Sequence, residues 1–330
     1  MTRSSQGLLG RTRCWSPCVL AIGCLVCAGY GQASEGTLDD VQMGETPITP
    51  GMVERSRYWL ASYLDRLSAD LDSFFVDSFF SEDILEDDVK GSRAKLSWYT
   101  RRELGDPVDY KFGISVRLVF PNTNKRLNLL LESEEEDKRE SSPLESVENN
   151  QYSAALRFIL KESEKWRADI DTGIRWGVPP DPFSRLRARR FFSFLNWNNR
   201  ATQSLFYYTS RGWGERTELQ LNRPVDHDKL VRFNTSAEYL LNDDHFSLRY
   251  SLGLYQELSK KAALGYIWSA SGDTEDRATF HSYSASVRYR RLIYKDWVFA
   301  EVSPSLVWKR EDGYDATPVI MFRLESVISR

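Results

Sequence analysis

The chain has 330 residues, enough for one large or two ordinary domains, and its 44 Lys and Arg against 47 Asp and Glu leave a formal net charge of −3. That balance argues against a nucleic-acid partner, which calls for a basic surface. The negative mean hydropathy excludes a bundle of transmembrane helices, but not a membrane barrel, whose strands are apolar on one face only.

Residues 1–33 read as a signal peptide. Arg3, Arg11 and Arg13 precede an apolar run from Cys18 to Ala28, and Gly31-Gln32-Ala33 has the small residues of a cleavage site. The run is short for a transmembrane helix. A lipoprotein reading through Ala21-Ile22-Gly23-Cys24 lacks the usual leucine three places before the cysteine. All four cysteines (Cys14, Cys18, Cys24, Cys27) sit in this leader. The mature chain is therefore expected to hold no disulfide, thiolate zinc site or cysteine nucleophile. Residues 34–53, with Pro47 and Pro50, read as a flexible lead-in. Leu60, Tyr63, Leu64, Leu67, Leu71, Phe74 and Phe75 then recur at three- and four-residue steps, which predicts an amphipathic helix over 54–80. With the acidic linker that follows it, this segment (54–90) is expected to plug the barrel described next, to lie in the membrane interface or to dock on the periplasmic side.

From Arg93 the period becomes two. Tyr110, Phe112, Ile114, Val116 and Leu118 alternate with Lys111, Gly113, Ser115 and Arg117, and the pattern repeats to the end of the chain. Fourteen strands are expected over 91–330, with twelve as the rival count because residues 200–223 alternate less regularly. The stretch 230–257 shows the pattern most plainly. Folding it about Asn242–His245 sets Tyr239 opposite Leu248, and Glu238 opposite Arg249 as a cross-strand ion pair. Strands of about 11 residues, at roughly 3.3 Å per residue and tilted near 40°, cover about 25 Å, the height of a membrane barrel's apolar band. Soluble strands are nearer 5–6 residues. The connections alternate between tight turns, as at Glu162–Glu164 and Asn196–Asn199, and longer polar loops, as at Ser133–Asn149 and Lys309–Ala316. Gly105–Asp109 and Arg223–Lys229 fit this alternation badly. Trp166 with Trp176, Tyr110 with Phe120, and Trp297 with Trp308 bracket strands, as aromatic girdles do at a membrane's two interfaces.

These features resemble the bacterial outer-membrane β-barrel proteins over residues 93–330. The resemblance implies an all-β antiparallel transmembrane barrel in the outer membrane of a Gram-negative cell. It also implies lipid around the barrel and the barrel-assembly machinery as a partner. Two features depart from the pattern. The final strand runs on past Phe322 to Ser329-Arg330 rather than ending on an aromatic residue, and Pro304 inside a strand predicts a local bulge.

The chemistry-bearing residues fall on the polar faces. Arg185, Arg187 and Arg189 share one face and would line a pore that favours anions. The structural alternative is that they neutralise lumen carboxylates. Folding about Pro179-Pro180 sets Asp171 opposite Arg187 and Asp169 opposite Arg189, with Arg157 facing Asp169 across the turn at Ser163. Glu301 has Arg288 or Arg290 as a partner. The acidic run Glu132–Glu140 reads as a solvated loop. His281, beside Ser282 and near Asp273, is the candidate base of a lipid hydrolase, although strand geometry turns His281 and Ser282 to opposite faces. His227, His245 and His281 lack metal-ligand spacing, and no phosphate-cradling glycine loop is present. The expected function is non-enzymatic, either a narrow porin-like channel passing a small solute or ion, or a structural barrel with an ion-paired lumen. No cofactor or metal is expected. The alternatives are a lipid hydrolase using His281 and a soluble secreted β-sandwich binding protein.

Overall fold

The computed structural model describes residues 92–120, 126–133, 152–163, 165–275, 278–295 and 297–329. The signal peptide, the lead-in, the 54–80 helix and the acidic run beyond Ser133 lie outside the described residues. The described chain forms fourteen strands: β1 (Arg93–Glu103), β2 (Asp109–Val119), β3 (Leu127–Glu132), β4 (Ser153–Glu162), β5 (Trp166–Arg175), β6 (Asp181–Phe194), β7 (Trp197–Tyr208), β8 (Gly212–Asp226), β9 (Lys229–Leu240), β10 (Phe246–Ser259), β11 (Ala262–Asp273), β12 (Thr279–Tyr294), β13 (Val298–Lys309) and β14 (Ala316–Ser329). Each pairs antiparallel with its chain neighbours, and β1 pairs with β14, so the sheet is a closed barrel. Closure leaves no free sheet edge, which is what lets a sheet stand in hydrocarbon.

The faces separate as the alternation predicts. Leu156, Ile170, Leu186, Leu205, Leu252, Leu306 and Ile320 are exposed on the outside, while Asp169, Asp171, Arg157 and Arg189 are buried inside. A water-soluble fold reverses that polarity. The soluble sandwich alternative is thereby overturned: the apolar faces point out of one closed sheet and do not meet as the core of two sheets.

The twelve-strand count fails where the pattern was weakest. β7 ends at Tyr208, and Gly212, at a left-handed φ of 79°, starts β8. β8 then runs through Pro224, and a register shift between Pro224 and Asp226 absorbs the missing donor. The inner turn there is the tight pair His227–Asp228, not the longer Arg223–Lys229 span. Pro304 makes no bulge. Its pairing with Ile320 of β14 is kept, while the β12–β13 ladder skips Ser303 and Pro304 and resumes in the same register.

The expected registers of three hairpins are corrected. In β9–β10, Glu238 stands opposite Ser247 and Arg249 opposite Ser236. Leu240 O accepts from the N–H groups of both Asp243 and Asp244, and Asp244 takes a φ of 58°. The loop is thus wider than a two-residue turn, and the ladder slips by two. In β5–β6, Asp169 faces Arg187 and Asp171 faces Arg185. Here Trp176 N–H bonds Tyr152 O, while Asp181 accepts from the N–H and hydroxyl of Ser210, so the loop closes at Arg175–Asp181. In β4–β5, the turn closes at Ser163–Trp166 and a shift lies between Ile159 and Lys161, so Arg157 faces Asp171 rather than Asp169. A slip of two keeps each side chain on its face and changes only its partner, so alternation alone does not detect it.

Gly173 is required by close approach. A Cβ there would lie 2.1 Å from Ala154 O and 2.7 Å from Ala155 Cα, both backbone atoms of β4. At Gly113 the nearest atom is a ring carbon of Tyr99, 3.1 Å away, on a side chain that can give. Gly173→Ala is expected to destabilise the barrel by about 1–3 kcal/mol through overpacking, and Gly113→Ala by clearly less. Urea midpoints of the two variants refolded in vesicles check the order.

Candidate functional site

The inward face of β4, β5 and β6 holds two buried carboxylates among arginines. Arg157 donates from Nε to Asp171 Oδ1 at 2.8 Å and from Nη2 to Oδ2 at 3.1 Å, a two-pronged grip. Arg185 Nη2 reaches Asp171 Oδ2 at 2.8 Å. Asp169 lies 3.6 Å from Arg157 Nε, 3.4 Å from Arg189 Nη1 and 3.8 Å from Arg167 Nε, with Arg187 across the ladder. Alternation puts these groups on one side, and the corrected registers bring them level. Arg157, Asp169, Asp171, Arg185, Arg187 and Arg189 therefore form one cluster. Glu238 belongs to a separate pair: Arg216 Nε of β8 donates to it at 2.7 Å. Arg249 is not its cross-strand partner.

A second cluster lies on β12, β13 and β14. Glu301 is 3.5 Å from Arg288 Nε and 3.4 Å from Arg290 Nη1, and Arg290 Nη2 also bonds Glu325. Ser303 Oγ donates to Glu301, and the Arg323 guanidinium sits 4.8 Å from the centre of the Tyr99 ring. The Glu301 pairing was readable in advance from facing positions. The Glu325 contact was not, because it joins β12 to β14 across the intervening β13.

β5 and β12 are seven strands apart in a ring of fourteen, so the two clusters face each other across the lumen. Apart from Arg185, nine positions from the end of β6, their charged residues lie within seven positions of the strand ends on the rim where β1 begins and β14 ends. Arg232 of β9, donating to Asn222 Oδ1 at 2.6 Å, extends the belt between them. Among the described residues twelve Lys and Arg are buried against five Asp and Glu. Among the buried side chains, cations therefore outnumber acids even where the two are paired.

His281 Nε2 lies 2.5 Å from Asp273 Oδ2, while Ser282 shares its hydroxyl hydrogen bond with Ser271 at 2.7 Å. A base and its orienting carboxylate are together, but among the described residues no serine hydroxyl is hydrogen-bonded to His281. At the β8–β9 turn, ligand atoms of Asp226, His227 and Asp228 lie within 4.8 Å of one another. Lys229 Nζ, 3.6 Å from each of these aspartates, supplies the positive charge there. The Asp226 carboxylate, accepting from His227 Nδ1–H, raises the pKa of His227 above the ordinary histidine value. His227 is therefore expected to titrate above the ordinary histidine value, and Asp226→Asn to lower it, as read from the imidazole NMR shift against pH.

The outward aromatics stand near the strand ends. Trp176, Tyr110 and Trp213 are exposed toward one rim, and Phe194, Tyr294 and Trp297 toward the other. Tyr207 and Trp213 pack at 5.2 Å, and Tyr294 and Trp297 at 5.6 Å. Two such girdles around an apolar band mark the levels of the lipid headgroups.

No protein-family model and no curated protein matches the chain. Solved structures similar to it include the KdgM porin in complex with disordered oligogalacturonate (8% identity, 70% of this chain and 98% of that one, TM-score 0.36). The outer membrane channel DcaP of Acinetobacter baumannii is similar at 6% identity, 72% and 96% coverage and a TM-score of 0.45. OprB of Pseudomonas putida is similar at 10% identity, 78% and 99% coverage and a TM-score of 0.42. The barrel assignment rests on the closed ladder and on the reversed polarity of its faces. By those features the chain is a closed fourteen-stranded antiparallel β-barrel with an apolar outer face and a charged interior.

Proposed function

We propose that this chain is a narrow, non-enzymatic channel of the outer membrane that passes small anionic solutes along an arginine-rich lumen wall. The observation that carries the reading is the belt of facing ion-paired clusters, in which buried cations outnumber buried acids. Fixed charge on a low-dielectric wall sets which ion enters, and paired arginines hold their positions while still presenting positive charge. The structural role of the pairs is part of this reading: Asp169, Asp171, Glu301 and Glu325 keep closely spaced arginines from repelling one another.

The outward apolar band and the expected signal peptide support an outer-membrane location. The folded chain is expected in the outer-membrane fraction, with mobility on gels that changes on heating and with folding that depends on detergent. A monodisperse folded protein without detergent would overturn the membrane reading. Chloride-over-potassium permeability in planar bilayers tests the channel reading.

A further inference from the structure

The outward face is not uniform around the barrel. On β12, β13, β14 and β1 its middle positions are Val287, Leu306, Ile320, Phe322 and Leu96, with Thr100, the ladder partner of Phe322, the one polar residue among them. On β6 to β9 they are Ala188, Ala201, Gln203, Thr217 and Thr235. Leu205, Tyr207, Leu219 and Phe233 flank these positions on the same outward face. Gln203 lies six residues from Trp197 and four from Tyr207, which places it between the two girdles.

Gln203 and Thr217 are ladder partners, and Thr217 Oγ1 donates to Gln203 Oε1 at 2.6 Å. That bond uses one lone pair of the amide oxygen. The two amide N–H donors have no acceptor among the described residues, and neither does the Thr235 hydroxyl. In a soluble protein water would serve them. In the hydrocarbon band there is none. Ala188 and Ala201 pair in the ladder with Gln203 and Arg190 respectively, and their short side chains leave the surface flat enough for another backbone to approach. Glu215, two residues from Trp213, lies at headgroup depth and outside this patch.

We propose that the β6–β9 face, centred on Gln203 and Thr217, is where a second copy of this chain docks in the plane of the membrane as a two-fold pair. The patch is self-complementary. Each copy offers amide donors, and each has lone pairs to spare on Gln203 Oε1 and Thr217 Oγ1. A two-fold axis sets the donors of one against the acceptors of the other. The sector opposite offers at mid-depth only the Thr100 hydroxyl of β1, level with Phe322, and no side-chain amide among the described residues.

A photo-crosslinking amino acid placed at Ala201 or at Ile320 in the full chain, irradiated in native membranes, tests this. The Ala201 position is expected to yield a product of two copies of this chain, identified by peptide mass, and the Ile320 position to yield none. Crosslinking at Ala201 no greater than at Ile320, or only to a different protein, overturns the proposal. The double variant Gln203→Leu/Thr217→Val keeps the barrel's heat-modifiable mobility as proof of folding, and its dimer fraction is expected to fall about tenfold. An unchanged dimer fraction in that folded variant overturns the assignment of the contact to these residues.

Discussion

Asp171→Ala is expected to destabilise the barrel by about 3–5 kcal/mol, because breaking a buried ion pair leaves its partners charged and less well compensated. Asp171 is fully buried and accepts from both Arg157 and Arg185, so its loss removes the acid that two guanidinium groups share beside Arg187 and leaves Asp169 to face the excess charge. Asp171→Asn keeps an acceptor of nearly the same shape and is expected to cost less. The double replacement Arg157→Met/Asp171→Leu removes one charge of each sign. It is expected to recover much of the loss, since apolar groups of similar volume often replace a buried pair at little cost. Urea unfolding in lipid vesicles, followed by tryptophan fluorescence, ranks the three. If Asp171→Ala unfolds at the wild-type midpoint, the cluster contributes nothing to the fold.

Arg187→Glu is expected to shift ion selectivity strongly. A unit charge about 7 Å from a passing ion in water-like dielectric acts with about 0.6 kcal/mol, so reversing one charge changes an anion's energy by about 1.2 kcal/mol, roughly eightfold in permeability ratio. Arg157, Arg167 and Arg189 remain around Asp169, so the local cluster keeps cationic partners for the new acid. Reversal potentials in a salt gradient read the change directly. An unaltered ratio would mean that Arg187 serves the wall and not the solute path.

The reach of sequence reasoning follows from its periods. Alternation assigns a face to each residue, so the inward arginines and the outward leucines are legible from Arg93 to Ser329, and the strand count everywhere but over residues 200–223. Tight turns and long strands make the architecture legible as well. Register is less so. Glu238 and Arg249 share a face in either register, and only the width of the Leu240–His245 loop decides whether they meet. The hydrogen bonds of Asp181 to Ser210 likewise join two loops far apart in sequence, and no local pattern announces them. The belt is legible only in pieces, because its height depends on every register at once. Gln203 and Thr217 were hidden differently: a single polar residue at an outward position looks like an irregularity until its ladder partner is known.

The ion preference of the purified, folded chain in a planar bilayer tests the central claim most directly. With chloride on both sides of a potassium salt gradient, the account predicts discrete channel steps and a reversal potential of the sign set by chloride permeability exceeding that of potassium. A folded barrel with no conductance, or one that prefers potassium, would contradict it.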